Sequence, residues 1–251
     1  MDVVRFGTGP RPLVLLPDVS LQPIAPGGEL VAKQYRRFWG THTVYLAERR
    51  RKLPEGFSVR EMAEDTVRAL EALGVGGPAD VAGMSQGGML ALCLALDHPE
   101  RVRRMLVGCS AARPNATLVG TLGRWEALAA AGRLADLKRA MFADLYGAAF
   151  RERFRAPLEM MAEELDGADA GRFLAQVRAG GSFDRLAELS QVKCPTLVLG
   201  AKDERVLSAA ASVEIAAAIG CECRLLEGCG HAAFDEAPEF MDRMGAFFGL
   251  A

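Results

Sequence analysis

Histidine is scarce in this chain: among 251 residues only His42, His98 and His231 carry an imidazole. Chemistry that needs an imidazole base therefore has three candidates. No apolar run approaches the roughly 20 residues that cross a bilayer, so no membrane partner is expected. The start, Met1-Asp2-Val3-Val4-Arg5, lacks the positive region and apolar stretch of an export leader, and a cytoplasmic protein is expected. Net charge is −2, and the one basic cluster, Arg49-Arg50-Arg51-Lys52, reads as a solvated turn before Pro54. Without a basic track, no nucleic-acid partner is expected. No internal repeat or low-complexity linker divides the chain.

The six cysteines are Cys93, Cys109, Cys194, Cys221, Cys223 and Cys229. Without an export signal they are expected as reduced thiols. Most fall in apolar strands or helices, where cysteine acts as a small hydrophobe. Cys221, Cys223, Cys229 and His231 invite a zinc reading. Cys221 and Cys223, however, alternate along an apparent strand, and the pairs lack the usual ligand spacing. No metal and no cofactor are expected.

What is present is Gly83-Met84-Ser85-Gln86-Gly87, followed by Gly88. Gly-x-Ser-x-Gly is the turn that lifts a serine hydroxyl out of a strained strand-to-helix bend. With 27 glycines in the chain the spacing alone could be chance, so its flanks decide. Pro78–Ala82 reads as a short strand and Met89–Leu96 as a buried helix that stops at His98-Pro99. Arg104–Gly108 reads as the next buried strand. Strand, elbow, helix, strand is the context that Ser85 requires as a nucleophile. The Gln86 backbone N–H would then face the developing oxyanion.

A serine hydroxyl needs a base. His98 sits at a polar helix end and His42 opens an apolar strand. His231 lies in a loop, Gly228-Cys229-Gly230-His231-Ala232, between a strand and the last helix, where open α/β sheets place their chemistry. It is the base candidate. The imidazole needs an acid to hold its tautomer. Pro195–Gly200 reads as a buried strand, and Asp203 stands just past it in Lys202-Asp203-Glu204-Arg205. Asp203 is the expected acid, with Glu204 the neighbour best able to displace it. Asp184 and Asp235 are weaker candidates, Asp235 reading as a cap of the final helix near Pro238.

The order Ser85, Asp203, His231, with Leu13–Asp18, Asp80–Gly88, His98–Gly108, Pro195–Asp203 and Gly230–Pro238, resembles the α/β-hydrolase superfamily over nearly the whole chain. The resemblance implies that the Val19 backbone supplies the second oxyanion donor. It also exposes a departure: the family's His-Gly after the first strand is Pro17-Asp18 here. Asp18 either turns outward or meets a polar group of the substrate. The resemblance further implies that residues 113–182 form a cap over the active site.

The coarse element order agrees. Strands and helices alternate up to Gly108, with strands near Leu13–Leu16 and Thr43–Leu46. Helices are expected over Gly28–Phe38 and from a Ser58/Glu61 capping box to Gly74. No long N-terminal hairpin is expected. From about Arg113 to Ser182 only helices are predicted: Thr117–Ala131, Leu134–Tyr146, Phe150–Leu165 and Ala170–Ala179. Met160, Met161, Phe142, Tyr146, Phe150, Phe154 and Trp125 are pocket-lining candidates as a group, and Arg113 and Asn115 are candidate polar exceptions. The expected architecture is a mostly parallel sheet with helices on both faces, residues 1–112 and 183–251 forming the core.

Together these residues predict a serine hydrolase for an ester or lactone of a small, largely apolar carboxylic acid. Its partner would be a small-molecule substrate, with a homo-oligomer left open. Carbon–carbon bond hydrolysis, thioester hydrolysis and perhydrolysis use the same constellation, and a non-catalytic ligand-binding protein is the alternative from another class.

Overall fold

A computed structural model describes residues 1–250. Its centre is a seven-stranded sheet in the order β1-β3-β2-β4-β5-β6-β7. The strands are β1 (Val3–Phe6), β2 (Arg11–Leu16), β3 (His42–Ala47), β4 (Ala79–Met84), β5 (Val102–Gly108), β6 (Thr196–Ala201) and β7 (Glu222–Leu226). All neighbours run parallel except β1, which pairs antiparallel to β3. Every residue of β3, β4 and β6 is buried, as expected of parallel strands covered on both faces.

The helices are α1 (Gly28–Gln34), α2 (Val59–Ala72), α3 (Gln86–Asp97), α4 (Ala116–Ala130), α5 (Leu134–Leu145), α6 (Ala148–Arg153), α7 (Arg155–Glu163), α8 (Ala170–Gly181), α9 (Ala209–Ile219), α10 (Ala233–Glu236) and α11 (Pro238–Phe247). One face of the sheet buries Val67, Leu90 and Ile215 from α2, α3 and α9. The other buries Phe240 and Met244 from α11 with Phe38 and Phe248. Residues Gln86–Ala95 of α3 are all buried, because helices and sheet surround this helix. Helices α4–α8 are inserted between β5 and β6.

Three elements differ from expectation. Val3–Phe6 is an edge strand, held by β3 rather than by a hairpin of its own. The helix expected over Gly28–Phe38 ends at Gln34 and continues as a single 3-10 turn, Arg36–Phe38. The helix expected over Phe150–Leu165 breaks at Phe154 into α6 and α7. Pro157 explains the break: it has no N–H, and its ring would strike the carbonyl of Arg153 in a continuous helix.

Candidate active site

Ser85 stands between β4 and α3 with φ 53° and ψ −119°, a strained backbone for a residue with a Cβ. The strain is held from both sides. The Ser85 N–H donates to the Gly108 carbonyl at 2.8 Å, and the Ser110 hydroxyl donates to the Ser85 carbonyl at 2.7 Å. The glycines answer to close approach. A Cβ on Gly83 would lie 2.1 Å from the Gly87 carbonyl oxygen, and one on Gly87 would lie 1.9 Å from that of Leu16. The elbow therefore packs directly on the end of β2.

His231 is 1% exposed, and its Nδ1 lies 2.8 Å from Oε2 of Glu204. The acid that the structure brings to His231 is thus Glu204 and not Asp203. β6 ends at Ala201, and the following turn leaves Asp203 exposed while Glu204 folds inward, its side chain 1% exposed. Its second oxygen, Oε1, accepts from Val206 N–H at 2.8 Å and Leu207 N–H at 3.3 Å, so the carboxylate is fully occupied. Desolvation opposes the charged imidazole, but the Glu204 charge and hydrogen bond outweigh it and raise His231 above its ordinary value, with help from Asp18. Nε2 of His231 is buried without a partner, and no hydrogen bond joins it to Ser85.

The loop after β2 is tied down by side chains from distant elements. The Arg49 guanidinium, itself buried, donates to the Asp18 carbonyl at 3.0 Å. Gln176 of α8 accepts from Ser20 N–H at 3.3 Å and donates to the Ser20 carbonyl at 3.0 Å. Arg172 of α8 pairs with Glu48 at 2.8 Å, both buried, and Glu48 also accepts from Ile24 and Ala25 N–H. Gln176, Arg172 and Arg49 carried no sequence signal: the partners through which they hold this loop lie 31 to 156 positions away.

Two cavities flank this loop. A chamber of about 20 Å³ is lined by Ser85, Val19, Gln86, Trp125 and Leu122 among others. Val19, the expected second oxyanion residue, is therefore beside Ser85 and Gln86. The other cavity, about 260 Å³, is lined by Asp18, Tyr35, Gln34, Phe234 and Asp235 with apolar strand residues. Asp18 thus turns into the cleft, not outward. Desolvation raises its carboxyl to about 6, against the opposing pull of His231 and Arg49.

Other candidates lie elsewhere. Asp184 is exposed. Asp235 does not cap α11; it accepts from Gln34 at 3.0 Å and from the Tyr146 hydroxyl at 3.2 Å. His98 meets Glu64, and His42 is buried against Asp80 at the far end of the strands. Trp125 lines the chamber, but Met160 and Met161 are 74% and 47% exposed. Tyr146 stacks on Phe150, which in turn meets Phe154 at a tilt. Arg113 pairs with Glu214 on the surface, and Asn115 caps α4.

Residues 32–238 match the family model of the alpha/beta hydrolase fold, and the chain belongs to that family. It is 29% identical over 192 residues to a Caulobacter sp. (strain K31) protein named "Putative carbamate hydrolase RutD", covering 75% of this chain and 67% of that one. It is 26% identical over 219 residues to 2-hydroxymuconate semialdehyde hydrolase of Pseudomonas putida, covering 81% and 73%. Among solved structures it resembles MGS-M2, an alpha/beta hydrolase enzyme from a Medee basin deep-sea metagenome library. The TM-score is 0.88 at 19% identity, over 100% of this chain and 94% of that one.

Proposed function

We propose that this protein is a serine hydrolase cleaving an ester or lactone of a small carboxylic acid through an acyl-enzyme on Ser85. The observation that carries the reading is His231: buried, held through Nδ1 by Glu204, unpartnered at Nε2, and in a loop at the same end of the parallel strands as the elbow. His231 takes the Ser85 proton as the hydroxyl attacks the carbonyl carbon. The Gln86 and Val19 amides receive the oxyanion. His231 then protonates the leaving oxygen and activates water against the acyl-enzyme, and Glu204 balances the imidazolium throughout. Helices α4–α8 act as the cap, and their side chains leave room above Ser85 for about one small group. The short acyl portion belongs in that chamber and the larger leaving group in the cavity of about 260 Å³.

A carbamate is the second reading. Gln86 lines the chamber, and its Oε1 is buried there without a partner. A carbamoyl group matches an acetyl group in size and adds an N–H donor for that acceptor. A relative also bears the carbamate hydrolase name.

The deciding experiment screens acetate, lactone, carbamate, thioester and diketone substrates on the purified protein, alongside labelling by a serine-reactive phosphonate. Ser85→Ala should fold, fail to label and lose about 10⁴-fold or more in turnover. Near-normal turnover in folded Ser85→Ala would exclude the serine mechanism.

A further inference from the structure

Gln176 sits in the middle of α8, and its side chain is fully buried. Its amide spans both main-chain groups of Ser20, accepting from the N–H and donating to the carbonyl. Nε2 also reaches the Arg172 carbonyl at 3.2 Å. The main-chain carbonyl of the same residue accepts from Nε2 of Gln86 at 2.5 Å. One residue of the insertion therefore touches the neighbour of one candidate oxyanion donor, Ser20 after Val19, and the side chain of the other, Gln86.

The consequence follows from peptide planarity. In a trans peptide the C=O and N–H point in opposite directions. Arg49 draws the Asp18 carbonyl to one side, which sets the direction of the Val19 N–H. The next peptide, Val19–Ser20, carries the N–H that Gln176 holds. With the peptide planes on both sides of Val19 fixed, its φ and ψ cannot swing. A loop without these ties would reorient at the moment charge develops and lose the benefit of preorganised donors.

Resting on the serine-hydrolase reading above, we propose that Gln176 is a positioning residue of the oxyanion hole, joining the cap helix to the loop at Val19 and to the elbow at Gln86. It touches no reacting atom.

The test is Gln176→Met, which keeps an unbranched side chain of similar length and removes the amide. Its kcat should fall about tenfold to a hundredfold with KM nearly unchanged, less than the loss from deleting a donor outright. Affinity for a boronic acid, whose tetrahedral adduct places oxygen in the hole, should fall by the same factor as kcat/KM. Gln176→Glu sets a carboxylate oxygen against the Ser20 and Arg172 carbonyls that Nε2 now serves and should lose at least as much as Gln176→Met. A folded Gln176→Met with wild-type kcat overturns the proposal. So does a loss of kcat that leaves boronic-acid affinity intact, and so does failure of both variants to fold, which would make Gln176 structural. If the wild-type protein neither turns over any substrate nor labels with phosphonate, the serine reading fails and takes this proposal with it. Wild-type turnover beside an unaffected Gln176→Met removes this proposal alone.

Discussion

Adjacent residues Asp203 and Glu204 differ in one turn of backbone and in their whole environment. Asp203 faces solvent, while the Glu204 carboxylate is shared between His231 and two loop amides. Glu204→Gln should therefore leave the imidazole with the wrong tautomer and cost several powers of ten in kcat, whereas Asp203→Asn should change kcat less than about threefold. Steady-state kinetics on the two variants, each checked for folding, separates the roles; the reverse result would return the acid to Asp203. The same contact sets the pH profile. Because Glu204 raises the His231 pKa, the neutral base is populated only above that raised value. Activity should rise with pH through a midpoint above about 6.5. In Glu204→Gln the residual activity should show a lower midpoint. An unmoved midpoint would mean that another group titrates.

Helices α4 and α8 set what fits above Ser85. Leu118, Leu122, Trp125 and Val177 close the space down to about 20 Å³. The sequence offers Met160, Met161, Phe142, Tyr146, Phe150, Phe154 and Trp125 as pocket-lining candidates, yet of these only Trp125 lines the chamber, and Met160 and Met161 are exposed. Acetate esters should be turned over faster than butyrate, and longer acyl chains should be poor substrates. Leu122→Ala removes three carbons from the roof and should move the optimum toward butyrate, at a stability cost of about 2–3 kcal/mol. Rates on a series of activated esters check both. A flat profile from acetate upward would mean that acyl chains avoid this chamber.

The molecule as a whole is pinned by buried charge at both ends of its sheet. At the end away from Ser85, Asp80 is fully buried and meets His42, Arg103 and Arg104, and Arg104 also holds the Phe247 and Phe248 carbonyls. Desolvation alone would raise the Asp80 carboxyl, but His42 and the two arginines lower it overall. A depressed folded-state pKa means that stability is present above the ordinary carboxylate value, about 3.9, and is lost as pH falls through the folded value. Asp80→Asn should destabilise the protein at pH 7 by about 1.5–3 kcal/mol, since it removes the buried carboxylate to which the part-exposed Arg103 and Arg104 both donate. It should also weaken the loss of stability in acid. Urea unfolding at pH 7 and at a pH well below that ordinary carboxylate value measures both, and an equal pH dependence in variant and wild type would rule out Asp80 as the source.

Local chemistry determined much of this protein in advance. A nucleophile elbow needs its glycines within two residues of Ser85, a parallel strand needs a continuous buried run, and a helix ends before His98-Pro99. Those constraints act over a few positions, so the alternation of strands and helices, the elbow and the loop of His231 were legible in the chain. The choice of Glu204 over Asp203 was not: it depends on how the turn after β6 rotates, and only the packed position of His231 selects one carboxylate. The β1 edge strand likewise needed β3 as a partner. The inward turn of Asp18, the filled chamber and the hold of Gln176 on Ser20 belong to tertiary structure alone. They join residues up to 156 positions apart, and no local preference acts over such a distance.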